Sequence, residues 1–285
     1  MDHVRRHAMR RRIAIGLRRE LMSDIRRFAL VTGASSGIGM AYAEHLASRG
    51  YDLILVARRG DRLEAIAHKI RAQEGRQVVT YVADLSDPDD LLGLERMLRE
   101  NEDVDVLVNN AGLGALGSTA SAGVDALENL VRINVLALTR LSCAALAGFR
   151  RRGHGILINI ASVIALAPSA TAAAYSGSKA YVLNFSRSLQ LECAGSGIVV
   201  QTVLPGPVRT EFFEASGVCS SIFSEHLFIS ADELVAAALK ALDMKELVCF
   251  PTLPDIAAWD EFENARTSFS KSLVTVGRPS PRYAG

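Results

Sequence analysis

The sequence lacks the features that mark several functional classes. Its four cysteines form no CxxC pair and have no clustered histidines beside them, so no zinc or other metal site is predicted. They are typical of reduced thiols, which predicts a cytoplasmic protein. No uninterrupted run of 18 apolar residues occurs, so no membrane span is predicted. These absences favour a globular chain without metal, disulfides or membrane.

The chain also has little net charge outside its N-terminus. The formal charge is +1 over 285 residues, but residues 1–21 hold seven arginines against two acidic residues, and the remainder carries −4. The body therefore has no basic surplus for nucleic acid or anionic lipid. We interpret residues 1–25 as a flexible Arg-rich extension, with an organelle presequence or a basic arm as alternatives. Met22, just before the first apolar run, is expected to be the natural start.

Apolar runs and amphipathic stretches alternate through most of the remaining chain. Runs typical of buried parallel strands occur at 28–33, 51–57, 78–84, 104–112, 155–162, 198–206 and 247–251, and helical periodicity fills the gaps, for example at 61–75 and 231–243. This alternation predicts an α/β fold: a doubly wound, Rossmann-type parallel sheet of about seven strands with helices on both faces. We assign residues 26–252 to this single domain, with a substrate lid at 207–230, and expect an irregular tail at 253–285.

A glycine-rich turn follows the first predicted strand. TGASSGIG (32–39) lies between that strand and an amphipathic helix, which is the context of a dinucleotide-binding turn. Glycine at 33, 37 and 39 allows a sharp turn and close approach to a pyrophosphate at the helix N-terminus. A plain strand-to-helix loop is the alternative for this motif taken alone.

Two arginines follow the second predicted strand. Enzymes that prefer NAD usually have a carboxylate at this point, whereas Arg58 and Arg59 can pair with a 2′-phosphate through forked, charge-assisted hydrogen bonds. This favours NADP(H) over NAD(H). Ser36 stands where some NADP-preferring proteins have a basic residue, so the 2′-phosphate would depend on the two arginines and on the Ser35 hydroxyl. Two solvated arginines at a helix start are the alternative.

The stretch YSGSK puts a phenol and an ammonium four residues apart. In a helix, Tyr175 and Lys179 lie on one face, where the ammonium favours formation of phenolate. A free phenol has a pKa of about 10, so such a neighbour would help it to exchange a proton at neutral pH. A surface tyrosine beside a solvated lysine is the alternative for this pair alone.

Seven motifs in register resemble the short-chain dehydrogenase/reductase family in its compact form, over about residues 26–250. They are TGASSGIG at 32–39, Asp84-Leu85, NNAG at 109–112, Asn134, Ser162, Tyr175 with Lys179, and PGPVRT at 205–210. The resemblance implies a catalytic set of Asn134, Ser162, Tyr175 and Lys179. With the arginines above, it implies cofactor contacts at Gly33, Ser35, Ser36, Gly37, Ile38, Gly39, Arg58, Arg59, Asp84, Leu85, Asn110, Ala111, Gly112, Tyr175, Lys179, Pro205, Gly206, Val208 and Thr210.

The resemblance also implies a role for each catalytic residue. Tyr175 would be the general acid/base, and Lys179 would lower its pKa and hold the nicotinamide ribose. Ser162 would hydrogen-bond the substrate oxygen, and Asn134 would anchor a water chain from Lys179 to solvent. The structural alternatives are that Asn134 caps or kinks a helix and that Ser162 only ends a strand.

These expectations combine into one leading hypothesis and one alternative. The leading one is an NADP(H)-dependent oxidoreductase that interconverts a carbonyl and an alcohol, assembled as a homodimer or homotetramer. Four phenylalanines in residues 211–228 favour a hydrophobic substrate, unless they only pack the lid onto the domain. The alternative is a non-catalytic NADP(H)-binding redox sensor.

Overall fold

The seven predicted strands form one parallel sheet. The computed structural model describes residues 27–115, 117–216, 223–274 and 277–283, so the Arg-rich extension, Met22 and part of the lid lie outside the described residues. Its strands are β1 (Phe28–Thr32), β2 (Asp52–Ala57), β3 (Val78–Val82), β4 (Val104–Asn109), β5 (Gly155–Ile160), β6 (Ile198–Val203) and β9 (Val248–Cys249). They lie in the order β3-β2-β1-β4-β5-β6-β9. The predicted doubly wound α/β fold is confirmed.

Helices connect the strands and cover both faces of the sheet. They are α1 (Gly37–Ser48), α2 (Gly60–Glu74), α3 (Pro88–Glu100), α4 (Val124–Val131), α5 (Leu138–Arg152), α6 (Ala173–Glu192), the short α7 (Phe212–Ala215) and α8 (Ala231–Asp243). A π-helical segment (Arg132–Ala137) joins α4 to α5. Two-residue strands β7 (Val208–Arg209) and β8 (Ile229–Ser230) pair with each other within the predicted lid.

Local sequence explains where several of these helices begin. The Asp87 carboxylate accepts hydrogen bonds from the amides of Asp89 and Asp90, and Pro88 follows at the first helical position of α3. Ser230 and Glu233 form a reciprocal capping box at the start of α8. Each such cap is worth about 1 kcal/mol.

The core is two apolar layers, one on each face of the sheet. Alternate residues of β1 enter different layers: Val31 packs with Tyr42 of α1 on one face, and Leu30 packs with Phe149 of α5 on the other. This alternation follows from the two-residue side-chain period of a strand. Because both faces are covered, the strands are apolar at almost every position.

One helical stretch, Val124–Arg152, is long and apolar enough by length and composition to span a membrane. In its most apolar window, 56% of the residues are buried inside the protein. The α5 part packs against β4 and β5 and supplies Leu141 and Phe149 to the core. The fold therefore already accounts for its apolar character as that of a core helix.

The order of the strands reverses between β1 and β4, so the ends of these strands open a crevice. The Thr32 hydroxyl, at the end of β1, donates to the Val108 carbonyl (3.2 Å) and accepts from the amides of Asn110 (3.0 Å) and Ala111 (3.1 Å). These bonds join the two strand ends. In open α/β sheets, ligands bind at such a reversal point.

Residues 252–285 form a second compact unit. The prediction of an irregular tail is wrong for Ala257–Ser272, which form helix α9. The Asp255 carboxylate accepts from the Ala257 amide (2.9 Å) at its start, and Arg266 and Glu263 pair three residues apart. Serine and proline near the chain end concealed this periodicity, and local capping and pairing support the helix.

Candidate active site

The glycine-rich turn is shaped so closely that its glycines have no room for side chains. A Cβ on Gly39 would lie 2.3 Å from the Gly33 carbonyl oxygen, and one on Gly37, whose φ is +55°, would lie 2.9 Å from the Thr210 methyl. Ile38, between them, packs against the core. A Cβ on Gly33 would lie 2.8 Å from the Asn110 amide nitrogen. The turn therefore keeps a bare backbone surface where a ligand can approach.

The start of α1 leaves its backbone donors open. Within the described residues, the Ser36 side chain makes no hydrogen bond to the helix that it precedes. The Ser35 and Ser36 hydroxyls instead accept from Arg59 at 3.0 and 2.9 Å. The first N–H groups of a helix have no intrahelical acceptor and favour an anion. This site therefore fits the pyrophosphate of a dinucleotide.

Asn110 fastens the turn to the end of β4. Its side-chain amide donates to the carbonyls of Thr32 (2.9 Å) and Gly33 (3.3 Å). The preceding residue, Asn109, is buried and donates to Ser142 Oγ and Asn159 Oδ1, both at 3.0 Å. Asn109 thus links strands and helix inside the core, whereas Asn110 shapes the wall of the crevice.

The two predicted phosphate-binding arginines are in different positions. Arg59 contacts Ser35 and Ser36 and also donates to Glu211 Oε2 at 2.9 Å. Arg58 points to another carboxylate, with its Nη1 3.9 Å from Asp84 Oδ2. Only Arg59 therefore reaches the glycine-rich turn, so the two arginines are not equivalent.

Asp84, one of the predicted cofactor contacts, is already hydrogen-bonded. Partial burial works to raise the pKa of its carboxyl group, but hydrogen bonds from the Ser86 hydroxyl and amide, with the charge of Arg58, outweigh it and leave the pKa below its ordinary value. Leu85, beside it, is buried in the core. Asp84 is thus held ionised at the edge of the crevice.

The Tyr175–Lys179 pair lies on α6 and faces the end of β5. Lys179 is only 6% exposed, and its Nζ donates to the Ile160 carbonyl at 2.8 Å. The same nitrogen is 5.8 Å from the centre of the Tyr175 ring and would be 3.6 Å from a Cβ on Gly112. Burial lowers the pKa of Lys179 to about 8. The alternative of a solvated surface lysine is therefore wrong.

The structure reverses the expected shift of the phenol. Burial raises the pKa of Tyr175 to about 12, and a hydrogen bond with Ser162 lowers it only in part. The net shift is therefore upward, opposite to the lowering predicted from the neighbouring Lys179. Desolvation of the phenolate dominates, and the Lys179 ammonium bonds to a carbonyl instead. Tyr175 is consequently a protonated donor at neutral pH.

Ser162 follows β5 and lies beside the PGPVRT segment. Its hydroxyl donates to the Pro205 carbonyl and accepts from the Ile164 amide, both at 3.4 Å. The Pro205 carbonyl also accepts from Val163 at 3.0 Å. A hydrogen bond between Ser162 and Tyr175 also acts on the phenol, so the hydroxyl lies beside Tyr175, and its role toward a substrate stays a prediction.

Asn134 lies in the π-helical segment and is almost fully buried. Its side-chain oxygen accepts from the Leu113 amide at 2.8 Å, and its nitrogen donates to the Leu113 carbonyl (2.9 Å) and to Ser178 Oγ (3.1 Å). The Ser178 hydroxyl in turn donates to the Tyr175 carbonyl. Asn134 therefore ties the NNAG loop to the helix that carries Tyr175. Its role toward a water chain stays a prediction.

The PGPVRT segment closes the other side of the crevice. Thr210 packs against Gly37, and Val208 pairs with Ile229 in the small sheet. A Cβ on Gly206 would meet no atom of the described residues within 4 Å.

The lid phenylalanines form one ring cluster that reaches Tyr175 through Phe212. Phe213, Phe223 and Phe228 pack edge-on against one another at 5.6–6.3 Å between ring centres. Phe212 packs edge-on against Phe213 at 5.8 Å and also contacts the Tyr175 ring, at 5.6 Å between centres. Phe212 therefore joins the lid cluster to the crevice.

Three residues of this site were not predicted individually from the sequence: Arg62, Glu211 and Phe212. Arg62 follows Arg59 by three residues at the start of α2, so helical spacing could have indicated it. Glu211 carries no such signal, because it meets the arginines only through folding. The remaining predicted residues lie along the crevice, and their contacts with a cofactor stay predictions.

Comparisons with known proteins agree with this geometry. A model of the short chain dehydrogenase family matches residues 27–217. A short-chain dehydrogenase from Sphingobium yanoikuyae, solved in complex with NADPH, is 40% identical and covers 90% of this chain and 100% of its own, with a TM-score of 0.86. The bulky-bulky ketone specific alcohol dehydrogenase from Comamonas testosteroni is 36% identical and covers 92% of this chain and 100% of its own, with a TM-score of 0.83.

Curated relatives include a protein described as inactive. The inactive hydroxysteroid dehydrogenase-like protein 1 of Homo sapiens is 35% identical over 198 residues, which are 69% of this chain and 60% of that protein. The chain spans about three fifths of the length of the curated relatives that it matches. The range matched by the family model, residues 27–217, includes the glycine-rich turn, Ser162, Tyr175 and Lys179. The chain belongs to the short-chain dehydrogenase family of oxidoreductases.

Proposed function

We propose that this protein is an NADP(H)-dependent oxidoreductase that interconverts a ketone or aldehyde and the corresponding alcohol, with Tyr175 as general acid/base. The observation that carries this proposal is that Ser162, Tyr175 and a buried Lys179 meet at the end of β5, beside the NNAG loop. A pair on the protein surface would have neither the burial nor the neighbouring serine. A bound nicotinamide cofactor would supply or accept the hydride at the substrate carbon.

Residues of the protein donate and accept the proton in this proposed reaction. In the reducing direction, the Tyr175 hydroxyl gives its proton to the carbonyl oxygen, and in the oxidising direction the phenolate takes a proton from the alcohol. A pKa of about 12 keeps the hydroxyl protonated at neutral pH, which suits reduction. Ser162 donates to the same substrate oxygen, and the charged form of Lys179 stabilises the phenolate that remains.

The preference for NADP(H) is supported by the basic groups near the turn. Arg59 lies against Ser35 and Ser36, so a guanidinium and two hydroxyls converge where the adenosine ribose of a dinucleotide is expected. The Sphingobium yanoikuyae relative was solved with NADPH. We propose that Arg59 is the main partner of the 2′-phosphate and that Arg58 is secondary.

A hydrophobic substrate is supported by the position of Phe212. Its ring faces Tyr175, so an apolar group attached to the reacting carbon would contact it. The relative from Comamonas testosteroni acts on bulky-bulky ketones. We propose a hydrophobic ketone, aldehyde or secondary alcohol as the substrate.

We also propose a cytoplasmic homodimer or homotetramer. Val131 and Leu136, on the helix flanking the active site, are 47% and 44% exposed, which supports burial against another copy. The described cysteines, Cys143, Cys193 and Cys249, are all free, in keeping with a reducing compartment. Light scattering of the purified protein measures the assembly directly.

The test of the proposed reaction is spectrophotometric. NADPH and NADH oxidation are followed against a panel of ketones and aldehydes, from small and polar to bulky and apolar. We expect turnover with NADPH, fastest with bulky apolar ketones. Tight NADPH binding without turnover of any carbonyl or alcohol would instead support a redox sensor, the function that similarity to an inactive relative keeps open.

A further inference from the structure

The Glu211 carboxylate forms ion pairs with Arg59, the residue proposed to bind the 2′-phosphate of the cofactor, and with the neighbouring Arg62. Glu211 accepts from Arg59 Nη1 at 2.9 Å through Oε2, and from Arg62 Nη1 at 2.7 Å through Oε1 and 2.9 Å through Oε2. These hydrogen bonds hold the pKa of Glu211 below its ordinary value. The carboxylate is therefore ionised at neutral pH and neutralises part of the positive charge.

The chain restrains this carboxylate on both sides. The residue before it, Thr210, packs against the glycine-rich turn, and the residue after it, Phe212, contacts the catalytic tyrosine. Glu211 is thus held close to the phosphate end of the crevice by its neighbours. Its side chain can rotate away, but its backbone stays within reach of the arginines.

A 2′-phosphate bound at Arg59, as proposed, would meet the same guanidinium groups as Glu211 and would carry a larger charge. It carries about two negative charges at neutral pH and accepts from guanidinium groups with the same forked geometry as a carboxylate. We propose that Glu211 is a determinant of cofactor choice, because its carboxylate competes with the 2′-phosphate of NADP(H) for Arg59 and Arg62. This inference rests on the proposed use of NADP(H). NADH carries no such phosphate and leaves the Glu211 ion pairs intact.

Binding titrations without substrate test the inference. NADPH and NADH dissociation constants are measured by calorimetry for the wild-type protein and for Glu211→Gln, which keeps the shape and removes the charge. We expect NADPH to bind about fivefold more tightly to the variant, NADH to be unchanged, and the gain to shrink in high salt. The matched control is Glu214→Gln, an exposed carboxylate on α7 that forms no ion pair among the described residues, which should leave both constants unchanged.

A double-mutant cycle separates competition from a general charge effect. In an Arg62→Gln background, the gain from Glu211→Gln should fall to less than half, because one of the contested groups is gone. Equal gains for NADPH and NADH, or no gain for NADPH, would overturn the role of Glu211. If the wild-type protein bound NADH as tightly as NADPH, the proposed cofactor preference would be overturned instead. The proposed role of Glu211 would still hold in that case if Glu211→Gln gained affinity for NADPH alone.

Discussion

The two ends of the crevice differ in how far their charged groups are exposed to solvent. At the phosphate end, Arg59, Arg62 and Glu211 form ion pairs whose side chains are 41–49% exposed. At the proton-transfer end, Lys179 is 6% exposed and Tyr175 has a pKa of about 12. Exposed charges are screened by water and contribute little to stability, whereas a buried charge is costly. The first end can therefore exchange partners easily, and the second cannot.

The largest effect is expected from a substitution that removes proton transfer and leaves the phosphate end unchanged. Tyr175→Phe removes the proton donor and keeps the ring, so kcat should fall by about a thousandfold, within the range of general acid catalysis. Stopped assays at saturating NADPH measure the loss. NADPH affinity by calorimetry is the control and should stay within about twofold of wild type, since the phosphate end is untouched. Retained turnover would refute the acid role.

The next largest effect is expected from a substitution that weakens phosphate binding and leaves the proton-transfer end unchanged. Arg59→Ala should weaken NADPH binding about tenfold to thirtyfold, because it removes charge-assisted hydrogen bonds, and should leave NADH nearly unchanged. Arg58→Ala is the matched control and should weaken NADPH only about threefold, since its guanidinium lies toward Asp84. Equal losses for the two variants would contradict the distinction that the structure draws between neighbouring arginines.

A third substitution tests the cost of the buried lysine. Lys179→Met should abolish turnover but raise the free energy of unfolding at pH 7 by about 1–2 kcal/mol, because the wild type buries a charge and the variant does not. Calorimetric or urea unfolding gives the difference. An equally stable or less stable variant at pH 7 would show that the Ile160 hydrogen bond outweighs the burial.

The same pair of proteins should show a defined pH dependence. The pKa of Lys179 is about 8 in the folded protein, against an ordinary value of 10.5. Between these values the unfolded chain binds more protons, so this lysine makes wild-type stability rise with pH, and its cost is gone above pH 10.5. The advantage of the methionine variant should therefore be largest below pH 8 and smaller at pH 9.5. A constant difference would contradict the lowered pKa.

The smallest effect is expected at Phe212, which lies between the lid cluster and Tyr175. Phe212→Ala removes the ring that contacts Tyr175 and should lower kcat/KM for bulky apolar ketones about fivefold, with a smaller loss for small ketones. Phe228→Ala, within the packed ring cluster, is the control and should lower the melting temperature without changing the order of substrates. If both variants changed that order alike, Phe212 would be packing the lid like the others.

Much of this architecture was predictable because it depends on local pattern. Continuous apolar runs such as residues 28–32 predict strands buried on both faces, and glycine at 33, 37 and 39 predicts a turn with no room for side chains. Helix α9 was missed because the serines and prolines of the last thirty residues favour an irregular segment, although the helix itself contains no proline. The resemblance to the family also predicted that Ser162, Tyr175 and Lys179 share one site.

The spacing YSGSK determined by itself that a phenol and an ammonium share one helical face, and the TGASSGIG motif determined that a bare backbone turn follows the first strand. The pKa values of Tyr175 and Lys179, and the side chains that each site residue contacts, depend on the tertiary structure. Burial raises the pKa of Tyr175 and lowers that of Lys179, although proximity alone predicts a more acidic phenol. Glu211 meets Arg59 across 152 residues of chain. Desolvation and long-range pairing are set by the packing of distant segments, which no local pattern records.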